Sequence, residues 1–148
     1  MGIQCHFMVT KIGKNQLKRI IEDVGSPVFI YSEEAIRRNL RRVREAISNS
    51  GIKSTIKIYV SYFANSNPHV VSLFEKEKAG LTLQSFEENE QLKEYLPSIP
   101  RVVSPTHLSK KDLEYFLKEQ IQVNCATLSN LEWILEKGIK SPSIRVDL

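Results

Sequence analysis

From about residue 55 onward the chain repeats one unit: a short β-rich run, a helix-start signal, then an amphipathic or charged stretch. The β runs are Thr55–Phe63, Leu81–Ser85, Arg101–Ser104, Ile121–Ala126 and Ser143–Leu148. Their starts lie about 20–26 residues apart, the spacing of βα units that feed a parallel sheet. The helix starts have a readable mechanism. Asn67-Pro68 sets a capping side chain before a proline whose missing N–H costs nothing at the first helical position. Ser85-x-x-Glu88 and Ser129-x-x-Glu132 have the capping-box spacing, and Ser109-x-x-Asp112 is a close variant. Leu108 with Leu113, and Leu128 with Trp133, are placed to staple two of these turns. An α/β fold with parallel strands follows.

The first 54 residues read differently. Leu17–Val24 has the pattern of a short helix, Gly25-Ser26-Pro27 that of a turn, and Val28–Tyr31 that of a strand or extended segment. Ser32 then caps a helix in which Ile36, Leu40, Val43 and Ile47 form a buried stripe flanked by Arg37, Arg38, Arg41, Arg42 and Arg44. Residues 1–57 hold eleven Lys and Arg against five Asp and Glu, which is where the formal net charge of +4 originates. No aromatic residues interleave with the arginines, so a solvated helix face accounts for them better than a nucleic-acid surface. Gly51 and Gly138 punctuate helix ends.

With 148 residues, 41% hydrophobic and 26% charged, the chain has the balance of a single water-soluble domain. No apolar stretch approaches the ~20 residues that a membrane span needs. The opening MGIQCHFMVTKIGK lacks the pattern of a secretory leader, and two cysteines, Cys5 and Cys125, make no disulfide framework. A cytoplasmic protein is expected.

Several segments carry a family resemblance. Gly25-Ser26-Pro27-Val28-Phe29-Ile30-Tyr31 before the arginine-rich helix resembles the opening of the diaminopimelate, ornithine and arginine decarboxylases. These are pyridoxal-phosphate (PLP) enzymes with an alanine-racemase-like barrel. Ile58–Pro68 is similar to their first barrel strand, and Ala64-Asn65-Ser66-Asn67-Pro68-His69-Val70-Val71 is the most specific match. Ala79–Ser85 with Glu88 resembles the second-strand motif, and Ser109–Leu117, Val123–Glu132 and Ser143–Leu148 follow in the family's order. The resemblance implies an incomplete PLP-binding (β/α) barrel of the TIM type, with about five parallel strands and alternating helices. Residues 1–148 then form a single N-terminal part of the barrel domain, without the later strands, the glycine-rich phosphate segments and the β-domain of the family. A complete barrel takes about 250 residues.

The same resemblance places Phe63 where the family has the lysine that forms its Schiff base with PLP. A phenyl ring makes no imine. Lys53 and Lys57 lie six or more residues upstream, and at ~3.3 Å per residue in an extended strand Lys57 is about 20 Å away. The family's second-strand aspartate corresponds to Thr82, its small or glycine-rich pair to Phe86-Glu87, its third-strand loop lysine to a position within Pro105-Thr106-His107-Leu108, and its fourth-strand aspartate to Ala126. No PLP is therefore expected on this chain. The expected function is that of a catalytically inactive, decarboxylase-like partner or regulator. The alternative is a fragment or divergent member of an active decarboxylase acting on a diamino or basic amino acid.

Asn65, Ser85, Glu88, Thr106, His107 and Thr127 are expected at the carboxyl ends of the strands, where α/β barrels place ligands. Each has a structural reading too: Ser85 and Ser129 as helix caps, Asn65 and Thr127 as satisfiers of backbone groups in turns, and His107 as a surface-loop histidine. His6 and His69 have no companions at metal-ligand spacing, and Cys125 reads as a small buried hydrophobe. Helix N-termini facing one side support weak small-anion binding. Open sheet edges favour a homo-oligomer or an intact homologue as partner.

Overall fold

A computed structural model of the chain describes residues 12–139 and 142–146. Cys5, His6 and the last two positions of the expected fifth strand lie outside the described residues. The chain divides into two compact units, Met1–Ile52 and Lys53–Leu148.

The first unit holds α1 (Lys14–Val24) and α2 (Glu33–Asn49). Ser32 caps α2 by accepting the Ala35 N–H at 3.2 Å, and Glu33 and Glu34 in its first turn complement the helix dipole. The same two glutamates pair one turn on with Arg37 at 2.8 Å and Arg38 at 3.9 Å, so part of the arginine face is held by its own helix. The expected stripe is narrower than its pattern. Leu40 is buried and Ile36 and Ile47 are half-buried, but Val43 is exposed. Val43 lies about 60° around the helix from Leu40, at the far margin of the stripe. The segment 28–31 forms no strand among the described residues; Ser26-Pro27 before it is a cis peptide.

The second unit alternates strand and helix: β1 (Tyr59–Ser61), α3 (Pro68–Lys76), β2 (Gly80–Leu83), α4 (Phe86–Tyr95), β3 (Arg101–Val103), α5 (Lys110–Lys118), β4 (Gln122–Cys125), α6 (Leu128–Glu136) and β5 (Ser143–Ile144). Five parallel strands run in the order β1-β2-β3-β4-β5, as the repeat requires. The strands β1 to β4 are each shorter than the corresponding β-rich run; after β2 and β4, Ser85 and Thr127 serve as helix caps. Among the described residues β1 and β5 are the edges of an open sheet.

Alternation along the strands sorts the side chains. Leu81, Leu83, Val103, Val123 and Cys125 share one face and are buried, together with Leu92 of α4, Leu113 and Phe116 of α5, and Trp133 and Ile134 of α6. This is the core, and each large aliphatic or aromatic side chain so buried contributes about 1.5–3 kcal/mol. The register places Ser61, Thr82, Gln122, Asn124 and Ser143 on the other face, with Val102 the aliphatic exception.

The helix starts follow the expected chemistry with two corrections. Asn67 accepts the N–H groups of His69 and Val70, and Ser109 with Asp112 closes a complete capping box. Leu108 and Leu113 beside that box are both buried. For α6, however, the cap is Thr127, which accepts the Asn130 N–H at 3.3 Å, so Ser129 already lies inside the helix. That shift makes Leu128 the first helical residue and leaves it 76% exposed, which removes the expected staple to Trp133. At Ser85 the box is displaced by one residue. Ser85 accepts the Glu88 N–H at 3.4 Å, while the Glu88 carboxylate reaches back to the N–H of Gln84 at 2.7 Å.

Gly80 is required by close approach. A Cβ there would lie 2.5 Å from the Tyr59 ring and 2.7 Å from the Pro100 carbonyl oxygen. Gly80→Ala is expected to lower unfolding free energy by about 1–3 kcal/mol in urea denaturation, the usual cost of overpacking. A change below about 0.5 kcal/mol would contradict the β1–β2 register.

Candidate functional site

The parallel sheet brings the loops after β1, β2, β3 and β4 to one edge, the carboxyl edge, and every sequence-selected residue sits there. Phe63 lies in the turn just beyond β1 and is 79% exposed. Asn65 is half-buried, and its side-chain oxygen accepts the Asn67 N–H at 3.0 Å, fixing the turn that presents the α3 cap. Ser85, Glu88 and Thr127 are half-buried and occupied by the backbone of their helix starts, as described above. Thr106 and His107 are exposed in the loop between β3 and α5. The side chains at the helix starts thus serve the backbone first, and the helix N-termini of α4, α5 and α6 each have an N–H taken by their own cap.

A second set of residues was not singled out from the sequence. On the sheet face opposite the helices, the Ser143 hydroxyl donates to the Asn124 side-chain oxygen at 2.6 Å. The Ser104 carbonyl accepts from the Arg145 guanidinium at 3.2 Å and from the Gln84 amide at 3.4 Å. Two residues beyond Ser143, Arg145 thus brings a cation to the polar face and ties β5 back to the end of β3. The signal is limited to Thr82 between Leu81 and Leu83 and to Asn124 between Val123 and Cys125. It was masked because strands of two to four residues show barely one period of alternation.

A larger polar network lies on the helix side. Asn89, fully buried on α4, donates to the Tyr115 hydroxyl at 2.8 Å and accepts from Arg101 at 2.9 Å. Arg101 also donates to the carbonyls of Leu96, Pro97 and Ile99, so β3 is tied to the end of α4. The Tyr115 hydroxyl donates to Glu90, and Lys93 bridges Glu90 at 3.2 Å and Glu119 at 2.9 Å. Tyr115 is held above the ordinary phenol range, first by burial and then by Glu90; the hydrogen bond from Tyr115 holds Glu90 below the usual carboxylate range. These groups are bonded to one another and form a clamp between α4 and α5. Burial pushes the Cys125 thiol up, which suits a core residue and not a nucleophile.

The residues present do not fit a PLP group held covalently after β1. Phe63 offers no amine, and Lys53 and Lys57 precede β1 and so stand at the opposite, amino edge of the sheet. Among the described residues no group of three or more His, Cys, Asp or Glu side chains could hold a metal ion, and no helix is long and apolar enough to cross a membrane.

No family model matches this sequence. A diaminopimelate decarboxylase of Thermoplasma acidophilum is 31% identical over 114 residues, which is 76% of this chain and 27% of that protein. This supports a link to the diaminopimelate decarboxylases. The chain spans about a quarter of the length of this relative. The likeness is compatible with the observed parallel α/β unit, whose five strands and alternating helices stand on their own hydrogen bonds.

The assignment of the α6 cap is directly testable. Thr127→Ala should cost about 1 kcal/mol of unfolding free energy, whereas Ser129→Ala should stay within about 0.5 kcal/mol. The reverse order in chemical denaturation would restore the sequence-based assignment of the cap.

Proposed function

We propose that this chain is a decarboxylase-like protein without decarboxylase activity of its own, acting through association with a second copy or with an intact homologue. The observation that carries this reading is Phe63, the residue standing before Ala64-Asn65 where the resembling family has its imine-forming lysine. PLP-dependent decarboxylation requires an amine to hold the cofactor and release it to the substrate amino group, and the phenyl ring supplies neither nucleophile nor proton. Thr82 and Ala126, in place of two family aspartates, extend the loss of polar chemistry along the same edge. The polar face with Arg145 and the capped helix starts leave room for weak binding of small anions, with no reaction attached.

The match to only 27% of the relative favours a second reading, in which the chain is a divergent part of an active decarboxylase of a diamino or basic amino acid. A decarboxylation assay separates the two. The chain, incubated with PLP and diaminopimelate, lysine, ornithine or arginine, is expected to release no carbon dioxide above the rate of PLP alone. Phe63→Lys is expected to gain a Schiff-base absorption band without gaining turnover, since Thr82 and Ala126 remain. Turnover by the unaltered chain would overturn the proposal in favour of the second reading.

A further inference from the structure

We draw no further inference here: the strongest candidate, the groove between α4 and α5 floored by Phe86 and Tyr115, carries nothing, because Glu90 and Glu119 are already paired with Lys93, Asp112 serves the cap of α5, and nothing in the structure shows what covers it.

Discussion

The structure depends on how a parallel strand divides its side chains. Leu81 and Leu83, Val103, and Val123 with Cys125 point to one face, where α4, α5 and α6 bury them. That face supplies most of the sheet's cohesion, while most of the polar side chains lie on the opposite face and in the loops at the carboxyl edge. The opposite face carries hydroxyl and amide groups, with Arg145 and Gln84 converging on the Ser104 carbonyl. That face combines Ser61, Thr82, Asn124 and Ser143 with Tyr59 and the buried Val102, so it is mixed in polarity.

Cohesion and chemistry are thereby separable. The clamp joins α4, β3 and α5 through the buried Asn89 and the half-buried Arg101 and Tyr115, and leaving a buried partner such as Asn89 unpaired costs about 1–3 kcal/mol. Nothing in that clamp reaches the carboxyl edge. Phe63, exposed in the turn beyond β1, takes no part in that clamp, so the residue type at position 63 is decoupled from this part of the fold's cohesion.

The sequence made the alternation of strand and helix legible because the caps are local: Asn67, Ser85 and Ser109 act within three residues of themselves, and each forms the expected bond. The cap at Thr127 is obscured by Ser129-x-x-Glu132, whose spacing satisfies the same rule two residues further on. The capping-box spacing makes Glu88 a reciprocal partner of Ser85, whereas its carboxylate accepts the N–H of Gln84, one residue earlier. The Asn89–Arg101–Tyr115 clamp joins residues 12 to 26 positions apart, so no local pattern announces it. Among the edge residues, the backbone roles weighed for Asn65, Ser85 and Thr127 are visible as hydrogen bonds, and His107 stands exposed in its loop.

The central claim is chemical: the turn after β1 holds an aromatic ring and no amine. Incubation with PLP, reduction with borohydride and peptide mapping by mass spectrometry read that claim at the level of the bond. The account predicts no pyridoxyl-lysine in any peptide spanning β1 and the turn to Pro68, with at most scattered labelling of surface lysines that a scrambled-order control protein shows equally. A stoichiometric pyridoxyl adduct on one lysine, formed by the folded chain and lost on unfolding before reduction, would contradict it.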